Sequence, residues 1–327
     1  MTVRSRHLIA YASAMLALLL WQLVSLLPVF ARLSDFDQDI VYTLGSQLFC
    51  MGFVPLVVLL GLNRGNAKEL FVRMRYKAPR DARACFLVTI GIMVLITPFT
   101  MAFNAVTNLI FTIVGYKRAF PVGTIYLGPG DLVVMLLITA LLPAIFEEFT
   151  HRGVLLSGLQ SRGSEFSAVV ISAVMFAMMH VNPGQIIYAV FGGLVFGVAA
   201  VKCDSIIPAM CAHFANNAVA VVLDYSTQRQ TSLGVWYDRL MSSGSVLSVA
   251  FTFFVLGISL YGMVRLLQYA ARKAPKPVSE RMLLGVVTLD AYSPDGKATL
   301  RENAVLYSIA AAYAAFSIVL FVWGIVK

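Results

Sequence analysis

The chain has 327 residues, of which 59% are hydrophobic and 13% charged, with a mean hydropathy of +0.82. That balance lies outside the range of soluble globular domains and calls for lipid as the solvent. A net charge of +9 would suit nucleic-acid binding in a soluble protein. Here the basic residues gather between apolar segments, where orientation in a membrane accounts for them, and no nucleic-acid partner is expected. Cys50, Cys85, Cys203 and Cys211 show no paired spacing, which argues against a disulfide framework and against a cysteine metal site.

The first apolar run, Leu8 to Val29, follows Arg4 and Arg6, an order that a secretory signal peptide shares. Its length of roughly 20 residues suffices to cross a bilayer. No small-residue cleavage site stands out, so it is read as a first transmembrane helix. Further apolar stretches run from about 41 to 62, 84 to 115, 131 to 161, 165 to 181, 184 to 202, 205 to 224, 245 to 268 and 304 to 326. This predicts eight or nine spans, with the short stretch at 165–181 deciding the count. The stretches at 84–115 and 131–161 exceed what a span requires, so they tilt, kink or project, with Pro98 and Pro143 as kink sites. Ala189, Gly193 and Gly197 repeat at four-residue spacing and let a neighbouring backbone approach. Pro183 and Gly184 end the helix before them near the bilayer, where irregular backbone is tolerated beside protein or a water-filled cavity.

Arg64, Lys68, Arg73, Arg75, Lys77, Arg80 and Arg83 fill the connection at 63–83, and Arg272, Lys273, Lys276, Arg281, Lys297 and Arg301 that at 270–303. Both are expected to be cytoplasmic loops. The segment from Ala31 to Ile40, with Asp35, Asp37 and Asp39, then falls outside, as alternation of spans demands. Nine spans place the N-terminus inside and the C-terminus outside. With no internal repeat or low-complexity tract, the expected fold is an all-α polytopic transmembrane helical bundle with an intramembrane catalytic cavity. It forms a single transmembrane domain over 1–327, with its core at about 131–224. The expected location is a bacterial cell membrane rather than the eukaryotic endoplasmic reticulum.

An ionised side chain at membrane depth costs about 3 kcal/mol or more, so such residues are paired and mark function. Several lie close together here. Glu147 and Glu148 are adjacent and point about 100° apart on a helix. Arg152 follows Glu148 by four residues, in the favoured order of acid before base, and that pair neutralises itself as a structural ion pair. Glu147 has no arginine at that spacing, only His151; a carboxylate without a fixed cation suits a general base. Phe176 and His180 then share one helical face, and His213 and Asn217 another. The turns near 161–164 and at Cys203, Asp204 and Ser205 fall on the same side of the membrane, which brings Glu147, His180, His213 and Asn217 to similar depth and lets them line one cavity.

The ordered set Glu147-Glu148-Arg152, Phe176-His180 and His213-Asn217, from Leu141 to Asp224, resembles the CAAX protease and bacteriocin-processing (CPBP) intramembrane proteases. That family includes the type II CAAX prenyl endopeptidases, and its motifs are EExxxR, FxxxH and HxxxN or HxxxD on three helices. The resemblance implies hydrolysis of peptide bonds in membrane-associated or lipidated substrates. Glu147 assisted by His180 would take a proton from water, His213 and Asn217 would hold the oxyanion, and Glu148 and Arg152 would orient the first helix. His151 departs from the family, which more often has an aromatic residue there. It reads as an extra ligand or relay, or as a polar residue facing a loop, with the latter favoured.

Glu147, His180 and His213 are also able to hold zinc with a water in the fourth position, and the family is often labelled a metalloprotease on that ground. The zinc-protease signature HExxH is absent, and zinc is retained without being required. Two other functions use the same residues: a proton-coupled membrane transporter, and a noncatalytic membrane-protein partner. The first is weakened by the lack of paired halves, the second by the intact motif residues. The expected partners are the lipid bilayer and a peptide or protein substrate at its surface.

Overall fold

The computed structural model describes residues 1–63, 67–116, 126–242, 246–276, 279–283, 287–290, 298 and 300–326. Among the described residues, eight helices are long and apolar enough to cross a membrane: α1 (Val3–Val24), α2 (Asp35–Asn63), α4 (Ala82–Ile113), α5 (Pro129–Gln160), α7 (Pro183–Cys203), α8 (Ile207–Gln228), α10 (Val246–Lys273) and α11 (Leu300–Val326). A ninth, α6 (Glu165–Met178), is shorter. Two more are short connectors, α3 (Ala67–Arg73) and α9 (Ser232–Ser242). The chain is an integral, multi-pass membrane protein with an all-α helical bundle fold.

Local chemistry sets the helix starts. Thr2, Ser34, Asp81, Ser164 and Asn182 each accept a hydrogen bond from a first-turn amide with the side chain, satisfying donors that a helix leaves orphaned. Proline opens α5, α7 and α8, where its missing N–H costs nothing. Helix α7 ends on Asp204 in a left-handed conformation, φ 51°. Pro98 lies within α4, whereas Pro143 sits just after a π-helical segment of α5, Leu136–Leu141, where the widened turn absorbs the missing donor.

The helices alternate in direction, and polar ties at one end of the bundle show it. Arg4 Nη1 donates to the Leu159 carbonyl (2.6 Å), Arg6 to Asn63 (3.0 Å), Arg162 to Glu302 (2.8 Å) and Lys202 to Glu165 (2.7 Å). Asp204 accepts from Lys77 (2.6 Å) and Arg80 (3.2 Å). The turns at 161–164 and 203–205 therefore lie at the same end, with the basic connections. These connections are not plain loops. The first contains α3, and the second contains a two-stranded hairpin, β1 (Glu280–Leu283) paired antiparallel with β2 (Val287–Asp290). Leu283, Val287 and Leu289 of the hairpin are buried, and the Arg281 guanidinium lies 3.9 Å from the Phe166 ring centroid. Burial of those three side chains outweighs the polarity that made 270–303 read as a loop. Arg64, Lys297 and the side chain of Arg301 lie outside the described residues.

Small residues set the closest helix approaches. A Cβ on Gly193 would lie 2.8 Å from Ala173 Cα, and one on Gly158 would lie 2.4 Å from His7 Cβ. The first lets α7 press on α6, as the small-residue repeat predicts; the second lets α1 descend along α5. From the basic end inward, Arg4 meets Leu159, His7 Nδ1 meets the Val154 carbonyl (2.9 Å) and Tyr11 meets His151. Helices α10 and α11 bury little of themselves and turn Phe254, Tyr261 and Ile318 outward, the arrangement that lipid favours.

Candidate functional site

Helix α5 carries the two carboxylates where its geometry changes: an α-helical stretch, Leu142–Glu148, runs into a π-helical one, Phe149–Leu156. A third π segment, Gly45–Phe53 in α2, faces it. A π turn inserts an extra residue and re-aims the side chains after it, which is why such turns concentrate at functional sites.

Glu148 is fully buried and accepts from Arg152 Nη1 at 3.0 Å. The ion pair read from the spacing at i and i+4 thus forms. Its guanidinium also donates to the Gly193 carbonyl (3.2 Å) and lies 4.4 Å from the Phe176 ring centroid and 5.4 Å from that of Phe196. Phe176 therefore acts on the site as the face beneath a buried cation. The same Glu148 Oε1 accepts from His213 Nδ1 at 3.0 Å. A carboxylate accepts only, so that bond marks Nδ1 as the protonated nitrogen and turns Nε2 the other way.

His213 Nε2 points at Glu147, with Oε2 3.9 Å away. The histidine lies between the two acids, stacked on Phe196 (5.5 Å, 21°) and edge-on to Phe176 (5.8 Å). Glu147 Oε1 accepts from Gln47 Nε2 at 2.8 Å. Gln47 was not singled out in the sequence; the signal available was a buried amide in an otherwise apolar span, Leu44 to Leu62. Glu147 and His213 are 7% and 5% exposed, so Oε2 and Nε2 face each other in a nearly closed space.

His180 stands just beyond the end of α6, in the turn 179–182, where Val181 has φ 47°. Its Nδ1 donates to the Phe176 carbonyl at 2.8 Å, which leaves Nε2 as the free face. Asn217 Nδ2 donates to the Thr139 carbonyl across 3.4 Å, a long bond, and its Oδ1 accepts from Asn216 at 3.3 Å. The structure thus brings His213 between Glu147 and Glu148, sets Arg152 behind Glu148, and keeps His180 and Asn217 at the margins.

His151 does not face a loop. It is fully buried, with Nδ1 donating to the Glu147 carbonyl (3.0 Å) and Nε2 accepting from the Tyr11 hydroxyl (3.3 Å). The π-helical turn that follows Glu148 and the packing of α1 against α5 enclose it. Zinc fits this arrangement poorly. Among the described residues no three His, Cys, Asp or Glu side chains converge as a metal-binding group. Glu147, His180 and His213 are therefore not assembled as a ligand set among them.

Comparison with known proteins gives one family. Residues 129–219 match the family model described as type II CAAX prenyl endopeptidase Rce1-like. That segment holds Glu147, Glu148, Arg152, His180, His213 and Asn217. No curated protein and no solved structure matches the chain. Over residues 129–219, which contain the three motifs in order, the chain is thus similar to the type II CAAX prenyl endopeptidases, the resemblance that the motifs carry.

Proposed function

We propose that the chain is an intramembrane endopeptidase that hydrolyses peptide bonds of membrane-associated or lipidated peptides with a water activated by Glu147. The observation that carries this is the pair Glu147 Oε2 and His213 Nε2, 3.9 Å apart. Two acceptors at that separation are too far apart to bond each other and near enough for one water to donate to both. Gln47 holds the other oxygen of Glu147, so the free Oε2 has a set direction.

In this mechanism the water lies between the two groups and gives its proton to Glu147 as the hydroxide attacks the scissile carbonyl. The developing oxyanion takes a hydrogen bond from Asn217 Nδ2, whose present bond to Thr139 is long enough to be exchanged. Glu147 then returns the proton to the leaving amine. The resemblance pairs Glu147 with His180; the distances favour His213 as the imidazole that shares the water. His180, with Nε2 free on the substrate side, assists by orienting the water or the peptide. Glu148 and Arg152 position His213 and α5, and no step passes through a metal.

The test is cleavage, by purified protein in detergent, of a prenylated CAAX peptide and of an apolar peptide library. Wild type is expected to cleave one of the two, and Glu147→Gln to lose roughly 10²-fold or more with unchanged melting. Equal rates for the two proteins would remove the proposal.

A further inference from the structure

The oxyanion of the proposed reaction needs a donor from Asn217, and an amide can also present an acceptor. Turned by half a revolution about its last bond, it would put Oδ1 where Nδ2 now lies. A chain of side chains sets its direction. Thr100 Oγ1 donates to Asn216 Oδ1 at 2.7 Å, Asn216 Nδ2 donates to Asn217 Oδ1 at 3.3 Å, and Asn217 Nδ2 donates to the Thr139 carbonyl at 3.4 Å. Thr100 is buried near the middle of α4, outside the residues that match the family model. Asn216 and Asn217 are half-buried on α8.

The direction of the chain is fixed from its far end. A backbone carbonyl accepts only, so Thr139 calls for Nδ2 of Asn217 and leaves Oδ1 toward Asn216. That oxygen calls for Nδ2 of Asn216, whose own Oδ1 is left for the Thr100 hydroxyl. The hydroxyl has one hydrogen, and Asn216 is nearer to it than the Thr97 carbonyl at 2.9 Å. Reversing either amide would set two acceptors against each other. The bond to Thr139 is the one given up when the oxyanion forms. The bond from Asn216 is then what keeps Oδ1 turned away from the negative charge, and each donor in the chain polarises the next, which strengthens Asn217 as a donor.

We propose that Thr100 and Asn216 are positioning residues for the reaction: they hold the Asn217 amide with its donor toward the developing oxyanion, so that α4 takes part in the site. The effect on rate rests on the peptidase proposal, and the orientation of the amide does not. A polar tie between α4 and α8 that served the bundle alone would slow the reaction, if at all, by the same factor whether or not Asn217 is present.

The test is a double-mutant cycle on the peptide that wild type cleaves. Thr100→Val keeps the shape and removes the donor. It is expected to lower kcat about 2- to 10-fold with KM unchanged, the factor that one ordinary hydrogen bond supplies, and Thr100→Ser to restore it. Asn217→Ala is expected to fall roughly 10²-fold, and adding Thr100→Val to it to cost no further rate. An equal fall with and without Asn217, or an effect confined to KM, overturns the positioning role. The orientation is read separately, without activity, by magnetic resonance of the side-chain amides in detergent, on protein labelled at asparagine with a heavy nitrogen isotope. Asn217 is identified by the signals lost in Asn217→Ala. Those signals are expected to move in Thr100→Val and to return in Thr100→Ser; signals that stay in place overturn the orientation. Glu147→Gln runs alongside. If it cleaves as fast as wild type, or if neither cleaves, the peptidase proposal fails and the effect on rate with it, while the amide signals still decide the orientation. If Glu147→Gln is inactive and the cycle is additive, the positioning role alone fails.

Discussion

Glu147 and Glu148 are neighbours in the chain and opposites in their surroundings. Glu148 is closed off from solvent and shared by Arg152 and His213, each at 3.0 Å. Glu147 holds one neutral donor, Gln47, and keeps its second oxygen turned toward His213 across 3.9 Å. One carboxylate is spent on structure, since a buried acid with two charge-capable partners has little left to offer a substrate. The other is held in place but not neutralised, which is the condition for accepting a proton. The difference teaches that an acidic pair in a membrane helix need not be a shared-proton dyad: about 100° of helix rotation separates a carboxylate with two partners at 3.0 Å from one that faces a histidine across 3.9 Å.

Substitutions can break this comparison or sharpen it. The largest effect is expected at Glu147. Glu147→Gln keeps the shape and the hydrogen bond to Gln47 in altered form but removes the base. Turnover should fall about 10²- to 10⁴-fold while the thermal midpoint in detergent stays within a few degrees of wild type. A matching loss of stability would mean that Glu147 is structural as well.

Glu148→Ala should do the reverse first. It leaves the Arg152 guanidinium buried without its carboxylate, a change that costs about 3–5 kcal/mol, so yield and melting temperature should fall before activity is considered. If Glu148→Ala melts like wild type, the assignment of the pair to structure is wrong. Gly193→Ala lies between the two in size. Its Cβ would press 2.8 Å from Ala173 Cα and displace the carbonyl that accepts from Arg152, for a loss of about 1–3 kcal/mol, readable in thermal melts.

The smallest change is Tyr11→Phe, which removes the hydroxyl that donates to His151 Nε2. The lost bond is worth about 0.5–1.5 kcal/mol. Because His151 in turn donates to the Glu147 carbonyl, kcat should fall modestly with KM unchanged. A change confined to KM would place Tyr11 on the path of the substrate instead.

Much of the bundle was legible in the sequence, because length and hydropathy are local properties and lipid enforces them. The spans at 84–115 and 205–224 appear as α4 and α8, shifted by a few residues at their ends. Basic connections gather at one end of the bundle, as the charge pattern predicts. The hairpin within 270–303 was not legible, since a few apolar residues among charged ones have no meaning until the bundle buries Leu283, Val287 and Leu289 and sets Phe166 against Arg281. His151 was misread for a similar reason: a polar residue in the last third of a span looks exposed until α1 covers it.

Within the site, the sequence by itself determined the contact between Glu148 and Arg152, because four residues of helix bring them together whatever else packs nearby. It also determined which ionisable residues lie at membrane depth. Only the tertiary structure decided that Gln47, a hundred residues away, holds Glu147, and that His213 enters between the two acids. These are long-range facts. They depend on how glycines let helices approach and on where π-helical turns rotate a face, and neither is written in the spacing of any single helix.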